Sequence, residues 1–171
     1  MAHWYNRLIA APPAVRDWLT DRRSLTRRLR TGCAGFCVRG LQLRRATVQS
    51  DERRPVGLSA RRRALIRNVW LCCGEQPLVY AHSVLPQDSL SGSWRRLAHL
   101  GNRPLGEALF ADARIRRGML QYCLLPRTHP LWRQAAAGTA VTGRLWARRS
   151  LFGSGRQRIL VTEVFMPDVF A

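Results

Sequence analysis

The chain has 171 residues, enough for one domain with a real hydrophobic core without metals or disulfides, and 46% of them are hydrophobic. No stretch approaches the roughly 20 apolar residues that a bilayer-spanning helix needs, and Leu8-Ile9-Ala10-Ala11 runs into Pro12-Pro13 instead of extending into the apolar segment of a signal peptide. The net charge of +19 comes from 29 arginines and no lysine; they are scattered in twos and threes with no helix-turn-helix, zinc-finger or RNP-type signature, which argues against a specific nucleic-acid partner.

The expectation is therefore a soluble, cytoplasmic single domain over residues 1–171, and monomeric, because no heptad or exposed apolar stripe demands an oligomer. A basic nucleic-acid-binding protein stays as an alternative resting on charge alone. Five cysteines, an odd number unevenly placed, do not read as a disulfide framework. Cys33-x3-Cys37 and Cys72-Cys73 lack the paired C-x2-C spacing of a zinc site, so no metal is expected.

In chain order, Pro13 is suited to a helix start, and Ala14 to Leu19 reads as a short amphipathic helix. Ser24 caps a second, Leu25 to Leu29. Phe36 to Val48 alternates as a strand does, with Gly40 marking a bulge. Residues 50–60, polar and carrying Pro55 and Gly57, read as a loop. Ala64 to Cys73 and Leu78 to Leu85 form a hairpin about Gly74-Glu75-Gln76-Pro77.

Asp88 to Leu100 has helical spacing at Leu90, Trp94, Leu97 and Leu100, with Gly101 as its cap. A helix over Pro104 to Phe110, an extended Ala113 to Leu125 and a short helix over Thr128 to Ala137 follow. Val141 to Phe152 and Gln157 to Met166 then flank the turn Gly153-Ser154-Gly155 as a last hairpin. The sum is an α+β fold: about six mostly antiparallel strands in one sheet, with the helices segregated to one side.

Three ionisable residues fall on apolar strand faces. Glu163 shares a face with Ile159, Val161 and Phe165; Arg67 with Leu65, Val69 and Leu71; His82 with Leu78, Tyr80 and Val84. A buried carboxylate needs a partner or takes up a proton. Glu163 is thus either catalytic or one half of a structural ion pair, and Arg67 either binds a substrate carboxylate or neutralises Glu163. His82 is either a hydrogen-bonded core residue or part of a site. No phosphate loop, Gly-x-Ser-x-Gly elbow or His-Glu-x-x-His is present, which excludes the commonest nucleotide, serine-hydrolase and zinc-protease arrangements.

Ile66-Arg67-Asn68-Val69-Trp70-Leu71-Cys72 through Pro77 to Val84-Leu85-Pro86, then Leu100-Gly101-Asn102-Arg103-Pro104-Leu105-Gly106 with Leu109-Phe110, Leu145-Trp146-Ala147-Arg148-Arg149-Ser150, and Leu160 to Pro167 resemble, in order and spacing, the chorismate pyruvate-lyase family. Asp17-Trp18-Leu19 and Ser24 to Arg28 extend the resemblance to nearly the whole chain.

The resemblance implies a cytoplasmic enzyme that eliminates pyruvate from chorismate to leave 4-hydroxybenzoate for the ubiquinone ring. It implies no metal or organic cofactor, and a six-stranded antiparallel sheet whose site is closed by flaps. Carried over by position, Arg67 binds the ring carboxylate and Glu163 meets the ring hydroxyl, while Leu25 and Leu105 hold the ligand through backbone groups. His82 stands where the family can have a second arginine, so His82 or a nearby arginine is expected to steady the departing enolpyruvyl fragment. The same fold also resembles small-molecule sensor domains of transcription regulators, so a non-catalytic binder of aromatic carboxylates is the other reading.

Overall fold

The computed structural model describes residues 3–90, 94, 97 and 99–171. Its centre is a seven-stranded antiparallel sheet ordered β1-β2-β3-β7-β6-β4, with β5 also paired to β6. The strands are β1 (Phe36–Thr47), β2 (Arg63–Cys73), β3 (Gln76–Pro86), β4 (Arg116–Arg117), β5 (Gln121–Leu125), β6 (Leu145–Ser154) and β7 (Gln157–Phe165). The two expected hairpins form, and β7 docks in reverse against β3, so the last strand lies mid-sheet. The expected bulge in β1 is present: Gly40 has φ +62° and the register against β2 slips between Arg39 and Gln42.

The helices cover both faces of the sheet, not one. On one face α1 (Pro13–Thr20) and α2 (Leu25–Gly32) bury Val15, Leu19, Leu25 and Leu29 against Val69, Leu71, Val79 and Phe165. On the same face α4 (Leu105–Ala111) buries Leu105 and Leu109 against Leu85, Phe152 and Ile159. The opposite face is covered by α3 (Ser50–Val56), through Val56 against Ile66, Val84 and Leu160, and by α5 (Pro130–Ala136), through Leu131, Trp132 and Ala135 against Tyr80, Ala147 and Val164. The physical reason is that β2, β3 and β7 carry apolar residues at successive positions, so both faces need cover.

Helix α3 replaces the loop expected at 50–60. Asp51 and Glu52 lie in its first turn, Arg53 and Arg54 in its last, and Gly57 caps it at φ +71°, accepting the end of the helix in the left-handed region. Pro55 falls in the last turn, where losing one N–H does not stop a seven-residue helix. The helix expected over Asp88 to Leu100 lies partly outside the described residues; within them, Gln87–Ser89 is a single 3₁₀ turn and Trp94 and Leu97 are buried beside Leu105 and Phe152. One disulfide, Cys33 to Cys73, joins the end of α2 to the end of β2, a pairing that the uneven cysteine spacing did not suggest. Among the described residues no helix is long and apolar enough to cross a membrane.

Candidate functional site

Cross-strand partners share a face, so the register decides which of the three ionisable residues meet. Arg67 pairs with Ser83 and Ser83 with Val161; Ala81 pairs with both Val69 and Glu163. Arg67 and Glu163 therefore lie on the face covered by α1, α2 and α4. They are two strands apart and offset by two residues, about 12 Å between Cα atoms from sheet geometry. The strand between them contributes Ala81 and Ser83, small residues that leave a floor between two long polar side chains.

His82 lies on the other face, and the expectation that it handles the departing fragment is corrected by the register. A two-residue turn continued without interruption would place His82 opposite Arg67. Leu78 is instead an extra residue: Cys72 pairs with Pro77 but Leu71 with Val79, and from there every β3 side chain changes sides. His82 consequently pairs with Asn68 and Thr162. Its Nδ1 is 2.7 Å from Asn68 Oδ1, and its Nε2 is 3.0 Å from Glu52 Oε1 of α3. The second contact is close enough for an ion pair but too poorly aligned for a hydrogen bond. His82 belongs to a buried polar group under α3, separated from Arg67 and Glu163 by the sheet.

Arg67 does not neutralise Glu163. Its side chain is buried, with the residue 2% exposed, and Nη2 donates to the carbonyls of Gly101 at 3.0 Å and Arg103 at 2.8 Å. Among the described residues no carboxylate pairs with it, and burial pulls its pKa below the ordinary arginine value. A buried guanidinium held only by neutral carbonyls is an anion site in waiting.

Glu163 is held by two other arginines, Arg148 and Arg117, that inspection of the sequence did not single out. Arg148 of β6 pairs in register with Glu163, and its Nε donates to Glu163 Oε2 at 2.5 Å. Its Nη1 lies 2.9, 3.3 and 2.6 Å from the carbonyls of Trp18, Leu19 and Asp21. Two hydrogens serve three acceptors, so one bond is shared. Arg148 thereby ties the α1–α2 connection to the carboxylate. Arg117 of β4 approaches the same Oε2 at 3.9 Å, while its Nε donates to Ser150 Oγ at 2.8 Å and its Nη1 to Arg22 O at 3.1 Å. The available signal was alternation: Trp146, Arg148, Ser150 and Phe152 share one face of β6. In a chain with 29 arginines that signal does not stand out.

Leu25 and Leu105 are buried at the first turns of α2 and α4. The two helices touch: Gly106 approaches Thr26, and Arg30 pairs with Glu107. In α2, Ser24 caps the Arg27 N–H at 3.4 Å, whereas no side chain caps α4. The first-turn N–H groups at Leu105 thus have no side-chain acceptor. Among the described residues no cluster of three or more potential metal ligands occurs.

The sequence pattern of the chorismate lyase family matches residues 2–171. A probable chorismate pyruvate-lyase of Methylobacillus flagellatus is 44% identical over 167 residues, covering 97% of this chain and 93% of its own. Those of Nitrosospira multiformis and Methylococcus capsulatus are 42% and 45% identical, over 99% and 92% of this chain and 95% and 97% of theirs. Among solved structures, the PhnF C-terminal domain superposes with a TM-score of 0.58 at 13% identity over 78% of this chain and 83% of its own. The ligand-binding domain of a putative GntR-family regulator from Bordetella bronchiseptica gives 0.51 at 16% identity, over 77% and 82%. At such identities these two likenesses concern the fold alone.

Proposed function

The chain belongs to the chorismate lyase family, and from that premise we propose that it eliminates pyruvate from chorismate to give 4-hydroxybenzoate, the precursor of the ubiquinone ring. The observation that carries the reading is the pair of opposite ends on one sheet face: a buried guanidinium with no carboxylate partner, Arg67, and a carboxylate held in place, Glu163. Chorismate presents a ring carboxylate at C1 and a hydroxyl at C4, across the ring from each other. Arg67 binds the first through its planar fork. Glu163 accepts a hydrogen bond from the second through Oε1, since both arginine contacts fall on Oε2.

The substrate supplies the driving force. The C3–O bond breaks, C4 loses its hydrogen, and the ring becomes aromatic; the proton ends on the former methylene carbon of the enolpyruvyl group, which leaves as pyruvate. Atoms balance without water, oxidant or cofactor. The protein contributes orientation, which can be worth several kcal/mol. Leu25 and Leu105 close the face from α2 and α4, excluding water and offering backbone N–H groups to the ligand. We place the protein in the cytoplasm, acting as a monomer on this small-molecule substrate, with no specific nucleic-acid partner.

The test is 4-hydroxybenzoate binding by calorimetry together with chorismate turnover. Arg67→Ala removes a charge-assisted bidentate contact and should weaken binding roughly a hundredfold. Glu163→Gln keeps shape and should retain much of the binding while slowing turnover. Unchanged affinity in Arg67→Ala would refute the assignment.

A further inference from the structure

Resting on the lyase reading, we propose that Arg117 is the subsite for the second carboxylate of the substrate, the one on the enolpyruvyl group. The ether carbon C3 is adjacent to C4, so the group that meets this carboxylate must stand beside the group that meets the C4 hydroxyl. Arg117 does, with Nη2 3.9 Å from Glu163 Oε2, whereas Arg67 is two strands away and His82 is beyond the sheet.

Arg148 is closer still, but its Nε is taken by Glu163 and its Nη1 by three carbonyls, and its side chain is 1% exposed, so it is sealed from an arriving ligand. Arg117 keeps a donor in reserve. Its Nε and Nη1 are used by Ser150 and Arg22, and among the described residues Nη2 has no acceptor nearer than Glu163. Phe110 of α4 and Phe152 of β6 flank the guanidinium at 5.6 and 5.4 Å, fixing its plane in an apolar slot. Its side chain is 9% exposed. Burial, only partly offset by Glu163, pushes its pKa down to about 10, so an arriving anion relieves a cost already present in the empty site.

Charge supports the same assignment. Arg67, Arg117 and Arg148 against Glu163 leave two positive charges in excess among the described residues, matching a dianionic substrate. When the C3–O bond breaks, its electron pair goes to the enolpyruvyl oxygen, and Arg117 holds the carboxylate of that fragment while negative charge develops on it. The product 4-hydroxybenzoate has a single carboxylate, taken by Arg67. Arg117 therefore distinguishes substrate from product.

The experiment compares the unaltered protein with Arg117→Gln and Arg117→Lys, reading kcat/KM for chorismate, Kd for 4-hydroxybenzoate and thermal midpoint. The expected result is a fall in kcat/KM of roughly tenfold to a hundredfold in Arg117→Gln, shared between a higher KM and a lower kcat, since Arg117 holds both the bound carboxylate and the charge that develops on the fragment. The Kd for 4-hydroxybenzoate stays within about twofold, and Arg117→Lys recovers part of the loss. Equal weakening of substrate and product, or unchanged kcat/KM, would overturn the subsite; if Arg117→Gln does not fold, the same comparison in Arg117→Lys decides. Absence of turnover in the unaltered protein would be a failure of the lyase reading itself, visible before any variant is made.

Discussion

Replacing Arg148 by Met should destabilise the protein more than any other single change on the site face. The methionine fills most of the volume but removes the Nε donor to Glu163 Oε2 at 2.5 Å and the Nη1 donor shared by three carbonyls at the α1–α2 connection. Breaking a buried pair by deleting one partner costs about 3–5 kcal/mol, and Arg117, 3.9 Å from the same oxygen, offsets part of this. The expected loss is about 3 kcal/mol, or a fall in thermal midpoint of roughly 10 °C for a chain of this length.

Urea denaturation of the wild type, Arg148→Met, Glu163→Gln and the double variant gives the coupling directly. The double variant should lose less than the two single losses added together, because Gln no longer requires a cation. Strict additivity, or a loss below about 1 kcal/mol in Arg148→Met, would show that the pair does not hold the carboxylate in place.

Further outcomes follow from the same geometry. His82→Gln should leave kcat for chorismate within about threefold while destabilising the fold by about 2–3 kcal/mol, since it strands Glu52 under α3; a large loss of kcat with unchanged stability would return His82 to the site. Asp21, at the α1–α2 connection, has its pKa lowered from 3.8 to about 2, chiefly by the Arg23 side chain and against the opposing effect of burial. The unfolded chain thus takes up this proton before the folded one does. The stabilisation is complete above about pH 4 and lost as pH falls toward 2. The gap in thermal midpoint between wild type and Asp21→Asn should close over that interval, and a gap independent of pH would contradict the assignment.

Alternation alone grouped Glu163 with Ile159, Val161 and Phe165 on one face, and Arg67 with Val69 and Leu71, because these strands run regularly through the residues concerned. It failed at His82 for one local cause. Pro77 brings no N–H to the ladder and Leu78 bulges next to it, and a one-residue slip exchanges the faces. Helix α3 was hidden by Pro55 and Gly57, which read as breakers although one sits in the last turn and the other is the cap. Arg148 and Arg117 were illegible for a different reason. Nothing in an arginine-rich chain marks which guanidinium is buried; only the pairing of Arg148 with Glu163 and of Arg117 with Phe152 selects them.

Chemical turnover on the Arg67–Glu163 face is the property on which the proposed function stands. It is tested most directly by incubating the purified protein with chorismate, without added metal or cofactor, and measuring pyruvate and 4-hydroxybenzoate against a no-protein control. Both products are expected in equal amounts, and both are lost in Arg67→Ala. Folded protein that binds 4-hydroxybenzoate but releases no pyruvate would contradict the proposed function and identify a binding domain instead.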